Sequence, residues 1–186
     1  MAKVIEETKV LTNKVLFSYA NLLEPRAQNE GAEPVYSACL IIPKSDTETI
    51  EAIKTAIKNA VDNNVARLGG KKTGLHNPLR DGDVDREGNE LYKNCYFINA
   101  KSKYKPQVFD RTGKNHLDSP EDVYSGMYGR AYLNFFVYAQ SGNRGVSCGL
   151  GNVQKMEDGQ RLGGSSGGTF DSIDGMESVE NSDLPF

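Results

Sequence analysis

An all-β domain carrying one main helix is the fold class this sequence predicts, closed as a small five-stranded barrel with long loop insertions. Three observations point there. Segments rich in β-branched and aromatic residues recur with period-two alternation. One stretch alone, from Ser45 to Leu68, has helical periodicity. Two polar connections, 69–94 and 104–127, are far longer than turns and read as functional insertions.

Residues 8–20 (TKVLTNKVLFSYA) make the first strand, with Val15, Phe17 and Tyr19 alternating against Lys14, Leu16 and Ser18. Glu24 to Glu33 contains Pro, Asn and Gly and turns the chain into a second strand, 34–42, whose near-continuous apolar run implies burial on both faces. Ser45 with Glu48 has capping-box spacing. Ile50, Ile53, Ile57, Val61, Val65 and Leu68 then form one apolar stripe ending at Gly69-Gly70, and the other face of this helix is polar. Residues 95–104 return to strand, 130–140 (RAYLNFFVYAQ) form the clearest strand, and 145–154 follow the Ser141-Gly142-Asn143 turn. Five strands and one helix match an oligonucleotide-binding fold. The helix comes after the second strand, whereas the usual version places it after the third, and an α+β sandwich is the alternative.

Length sets one folded body, residues 1–162, followed by a flexible Gly/Ser linker and acidic tail, 163–186. The net charge of −3 hides an asymmetry, because all 22 Lys and Arg lie within residues 1–170, which carry +2, while the last sixteen residues carry −5. A weakly acidic whole therefore does not argue against a nucleic-acid partner. Cys39, Cys95 and Cys148 are odd in number and set in apolar segments, as expected for reduced, buried thiols in a cytoplasmic protein. Lys3, Glu6 and Glu7 come before any apolar stretch and no run approaches membrane-spanning length, so neither secretion nor membrane insertion is expected.

Strand 130–140 divides by parity. Ala131, Leu133, Phe135, Val137 and Ala139 make a core face, while Arg130, Tyr132, Asn134, Phe136, Tyr138 and Gln140 put rings, a cation and amides on the other. Exposed rings of this kind stack bases whatever their identity. A covering second layer is the competing explanation for them. Residues 91–116 add six bases (Lys93, Lys101, Lys103, Lys105, Arg111 and Lys114) against one acid, Asp110, interleaved with aromatic rings. Lys101, Lys103 and Lys105 alternate, so along a strand they form a row of cations about 7 Å apart, able to track phosphates. An edge strand protected by lysines would look the same. The expected nucleic-acid contacts are Phe97, Lys101, Lys103, Tyr104, Lys105, Arg111, Arg130, Tyr132 and Tyr138.

Signals for catalysis are poor. Asp81, Asp83 and Asp85 begin like a calcium loop, but Arg86 stands where Gly is required and Tyr92 where the bidentate Glu belongs. Those three carboxylates are the one place a metal-dependent nuclease would find ligands. His76 and His116 stand alone. No enzyme activity, cofactor or metal is expected.

The tail ends in Asp183-Leu184-Pro185-Phe186 behind four further acids and no base. Asp183 meets Arg or Lys, Pro185 limits the entropy lost on ordering, and Phe186 fills a cavity, so this ending reads as a docking peptide for protein partners. It resembles the acidic C-terminal tip of single-stranded DNA-binding proteins.

The chain as a whole resembles the single-stranded DNA-binding proteins of tailed bacteriophages. The resemblance rests on Pro78-Leu79-Arg80-Asp81-Gly82-Asp83, on Phe97-Ile98-Asn99-Ala100-Lys101-Ser102 with Tyr104-Lys105-Pro106, and on Gly145 to Leu150 running into Asn152 to Lys155 and Gly159 to Gly164. It implies an oligonucleotide-binding barrel that coats single-stranded DNA in phage replication or recombination, in the host cytoplasm, and recruits replication or recombination proteins through its tail. A strand-annealing mediator shares all these features. Strand addition at a sheet edge would make a homodimer, and no residue selects the edge.

Overall fold

The structure is a computed structural model that describes residues 2–162. In chain order the elements are β1 (Lys3–Glu6), β2 (Lys9–Leu11), β3 (Val15–Arg26), β4 (Val35–Pro43), α1 (Thr47–Asp62), β5 (Leu79–Asp81), α2 (Gly82–Asp85), β6 (Cys95–Ser102), β7 (Val108–Phe109), β8 (Tyr128–Gln140) and β9 (Asn143–Glu157). A single 3-10 turn, Glu90–Tyr92, follows α2.

Five of these strands close on themselves in the order β3-β4-β6-β9-β8 and back to β3. All pairings are antiparallel except β6 with β9. That connectivity is the one expected for an oligonucleotide-binding fold. Two of its joints are short: β3 meets β8 only at Val15↔Gly129 and Leu16↔Tyr128, and β6 meets β9 only at Lys101↔Gly149. The assembly is therefore a closed ring of strands, without the continuous hydrogen-bonded wall of a full barrel. The helix does lie between the second and third ring strands, as its place in the sequence requires.

Alternation decides the interior. Phe17, Leu40, Ile98, Ala131, Leu133, Phe135, Val146 and Leu150 point inward from the five strands into one core, joined by Ile50, Ile53, Ala56 and Ala60 of α1. The helix packs against β1, β2 and β8. Its N-cap is Asp46 and not Ser45: the Asp46 carboxylate accepts from the Thr49 backbone N–H and from Asn13 Nδ2. The helix also stops at Asp62, six residues before the apolar stripe ends. Asn63 caps it and Asn64 Nδ2 bonds back to the Ala60 carbonyl, a local competition that unwinds the chain into turns while Leu68 stays buried.

The expected first strand is two strands. Thr12 breaks it, its N–H donating to the Ala131 carbonyl and its hydroxyl accepting from the Ala131 N–H, so that β2 pairs with β8 and β3 starts afresh. The expectation that the second strand is buried on both faces holds for its middle, where Cys39 and Ile41 lie under a second cluster with Phe97 and Tyr92. Burial pushes the Cys39 thiol up to about 11. Cys148 is likewise buried, whereas Cys95 is only half-buried.

The ring is sealed at one end by crossing backbones. Gly126 has φ 112°, donates its N–H to the Phe17 carbonyl, and a Cβ there would overlap the Gln160 carbonyl oxygen. Gly126→Ala is expected to destabilise the domain by about 2 kcal/mol, read as a lower urea midpoint with an unchanged slope.

Candidate nucleic-acid interface

Outward-facing side chains define two zones on the ring. Over the first, the segment 80–94 folds back across β4 and β6. Tyr92 meets the Phe97 ring edge-on at 5.2 Å, and the Arg80 and Arg86 guanidinium groups lie 5.5 and 4.8 Å from the Phe97 centroid. Phe97 is fully buried as a result. Its expected role as a base-stacking ring is corrected: it is the floor on which the cover is built.

Beyond the edge of that cover the outer face is open. A groove of about 560 Å3 is lined by Tyr19, Asn21, Arg26, Ser37, Asn99 and Lys101, with Arg80 and His76 at its sides and no carboxylate among its lining residues. Arg26 and Lys101, with Arg80 shared with Asp85 at one side, give this concavity a positive potential. Asn99 and Lys101 reach it because they share the outward parity of β6.

The groove continues across β9. Ser147, Gly149 and Gly151 face outward there, a strip of minimal side chains, while Gly145 is buried against the His76 backbone. On one flank runs β8, in register Tyr138↔Gly145, Phe136↔Ser147 and Asn134↔Gly149. Phe136 leans over Gly149, with Cε1 3.5 Å from where a Cβ would stand, and Tyr132 abuts Gly151. On the other flank the chain from Lys101 to Phe109 runs parallel to β9, pinned by Lys101↔Gly149, by Gln107 N–H on Asn152 Oδ1 and by Val108↔Val153. Lys101 and the exposed Lys103, Tyr104 and Lys105 thus lie on the segment that runs along one side of β9, and Phe136 and Tyr132 on the strand along the other. Tyr132 and Phe136 are 47% and 44% exposed and Tyr104 83%, so the rings are not covered.

The remaining expected residues are placed as follows. Lys103 and Lys105 are exposed but lie past the end of β6, which stops at Ser102, so they sit on a turn and not in a strand row. Tyr138 is half-buried, beside the loop where His76 pairs with Gly145. Arg130 is partly buried and its Nε donates to Gln154 Oε1 at 2.8 Å. Arg111 stands on an exposed turn held by Asp110, whose carboxylate accepts from the Thr112 hydroxyl and Asn115 Nδ2 and is held well below the usual carboxylate range by them. Among the described residues, Lys101, Lys103, Lys105 and Arg111 enter no ion pair. Asp183, Leu184, Pro185 and Phe186 lie outside the described residues.

Sequence reasoning left out Phe136, Tyr19, Arg26 and Arg80. Phe136 has the right parity and could have been included. Tyr19 could not: period two puts it with Phe17 in the core, but a bulge between Ser18 and Asn21, with Tyr19 at φ 46°, turns its ring out to 70% exposure.

Asp81, Asp83 and Asp85 do not come together as a set of three: the first two share Lys44 and the third turns to Arg80. Lys44 Nζ lies 2.9 Å from Asp81 and 2.7 Å from Asp83, Asp85 pairs with Arg80 at 3.1 Å, and Asp83 also accepts the Asn94 N–H. The Asn94 and Lys44 hydrogen bonds hold the Asp83 carboxyl below its usual range. Among the described residues no group of three or more His, Cys, Asp and Glu side chains is arranged to hold a metal ion. The turn through Lys71, Lys72 and Thr73 is held by the Arg144 guanidinium, which donates to the carbonyls of Leu68, Lys71 and Thr73.

A ring of this connectivity with rings and cations on its open outer face defines the class of oligonucleotide-binding folds that take extended strands. Within that class the chain belongs to the family of the ssDNA-binding protein of Enterobacter phage Enc34, whose model matches residues 8–183. It is 31% identical over 183 residues to protein p50 of Acyrthosiphon pisum secondary endosymbiont phage 1, covering 95% of this chain and 98% of that one. Its fold is shared with the single-stranded DNA-binding protein of bacteriophage Enc34 solved in complex with ssDNA, at TM-score 0.70 and 23% identity over 87% of this chain and 93% of that one. It is also shared with gp2.5, a single-stranded DNA-binding protein of bacteriophage T7, at TM-score 0.58 and 16% identity over 87% and 98%. Among the described residues no helix is long and apolar enough to cross a membrane.

Phe97 and Tyr132 should separate structure from binding. Phe97→Ala is expected to cost about 3–5 kcal/mol of stability. Tyr132→Ala and Phe136→Ala should leave the melting transition nearly unchanged while each weakens oligo-dT binding by on the order of 1–3 kcal/mol in fluorescence titrations.

Proposed function

We propose that this protein binds single-stranded DNA along the outer channel and protects it during phage replication or recombination. The observation that carries the reading is the convergence of Lys101, Lys103, Tyr104 and Lys105 on one flank of the β9 glycine strip with Phe136 and Tyr132 on the other. Phosphates follow the lysines, with Arg26, Arg80 and Arg111 extending the cationic path, and bases stack on Tyr132, Phe136, Tyr104 and Tyr19. Tyr138 and Arg130 stand at the two ends of the β8 row. A narrow strip of glycines lets the strand approach the backbone between the two flanks. Stacking and charge contacts of this kind do not select sequence over most of the channel. Family membership and the shared fold support the same reading.

The tail is the second part of the proposal. The domain spans residues 1–162, and 163–186 act as a separate segment whose five acids between Asp171 and Asp183 compete with DNA for the cationic channel. Asp183, Leu184, Pro185 and Phe186 recruit replication or recombination proteins, Phe186 entering an apolar pocket and Asp183 pairing with a base at its rim.

Neutralising about five phosphates should give a log–log salt slope near −3.5 for oligo-dT, and Lys101→Ala should reduce its magnitude by about 0.7. A slope near zero would refute the electrostatic part of the reading. Truncation after Gly168 is expected to tighten oligo-dT binding at low salt and to abolish co-purification of phage replication proteins. Identical affinities of the truncated and intact chains would remove the competition by the tail.

A further inference from the structure

At the Arg130 end of β8 the outer face dips into a cleft of about 190 Å3, walled by Phe109 and Tyr132 and rimmed by Arg130, Asn152 and Gln154. Pockets for drug-sized ligands begin near about 300 Å3, so this one accommodates a smaller planar group. It lies where Tyr132 abuts Gly151, and Tyr132 belongs both to its wall and to the aromatic flank described above.

The hydrogen-bonding capacity of its rim is one-sided. Gln154 is consumed: its Oε1 accepts from Arg130 Nε at 2.8 Å and its Nε2 donates to the Arg111 and Asp110 carbonyls at 2.9 and 3.3 Å. Asn152 Oδ1 accepts from the Gln107 N–H at 3.0 Å, which fixes the orientation of the amide, and the residue is exposed. Among the described residues, Arg130 Nη1 and Nη2 and Asn152 Nδ2 have no partner. No carboxylate lines the cleft. Between two rings the rim therefore offers donors, from a guanidinium fork and an amide.

Base edges differ in what they return. Guanine presents two adjacent acceptors, O6 and N7, to which arginine bonds in bidentate fashion, whereas adenine sets an N6 donor beside its N7 acceptor. We propose that this cleft is a guanine-preferring base subsite of the channel, with Arg130 and Asn152 Nδ2 donating to O6 and N7 while Tyr132 and Phe109 flank the ring. The inference rests on the single-strand reading above and refines it at one position. The rest of the channel stays sequence-tolerant.

The test uses the full chain and labelled strands of equal length in lithium buffer, with a dT background carrying guanine, adenine or 7-deazaguanine at every third position. Guanine strands are expected to bind at least about 5-fold tighter than adenine strands, and 7-deazaguanine, lacking the N7 acceptor, to lose most of that gain. Asn152→Asp keeps an oxygen for the Gln107 N–H but replaces the Nδ2 donor with an acceptor. Its guanine-to-adenine ratio should fall to one or below, and Asn152→Ser should lower it as well. Because the ratio is taken within one protein, a change in overall affinity or in folded fraction cancels. Equal binding of guanine and adenine strands by the unaltered chain, with plain oligo-dT bound, overturns this inference alone, as does full retention of the gain by 7-deazaguanine. Failure to bind oligo-dT at all overturns both this inference and the reading beneath it.

Discussion

The parallel alignment of the 95–109 segment with β9 is the constraint on which the site depends. Parallel strands need a crossover, and here that crossover is the whole of β8 with its preceding loop. Closing the ring in this way places β9 between a cationic neighbour and an aromatic one. The open outward positions of β9 are Ser147, Gly149 and Gly151, so the two flanks face each other across a low floor. A bulky side chain at Gly149 or Gly151 would fill the space against Phe136 or Tyr132 and divide the channel.

Electrostatics are arranged with equal economy. The chain has more acids than bases overall, yet acids of the folded body near the outer face are engaged elsewhere: Asp81 and Asp83 by Lys44, Asp85 by Arg80, and Asp110 by its own turn. Among the described residues Lys101, Lys103, Lys105 and Arg111 enter no ion pair, whereas Arg80 is shared with Asp85. Exposed ion pairs of this kind contribute little to stability. Their effect is to withdraw negative charge from the channel and to shape the segment 80–94 that covers Phe97.

Much of the fold was legible because alternation is a strong signal where one strand face is dry. The parity of 130–140 correctly separated Phe135 from Phe136 and Tyr132 before any coordinates, and the five ring strands and the helix between the second and third were all found. What failed did so for identifiable reasons. Phe97 has the same outward parity as Lys101, and nothing local says that Tyr92 and Arg86, from a polar loop, will close over it. Tyr19 escapes period two because a bulge reverses it. The small strands β1, β5 and β7 and the end of α1 depend on tertiary partners or on Asn63 and Asn64, signals too short for a periodic reading.

The cover over Phe97 bears on how densely the protein must be laid down. The segment 80–94 closes the outer face over Phe97, so on the reading proposed above only the uncovered part of that face is left for nucleotides to lie on. A shorter footprint raises the number of molecules needed to clothe a given stretch of genome and leaves more junctions between neighbours. For a coat of the kind proposed, the demand would then fall on supply: abundance, more than the grip of each molecule, would set how much strand is covered.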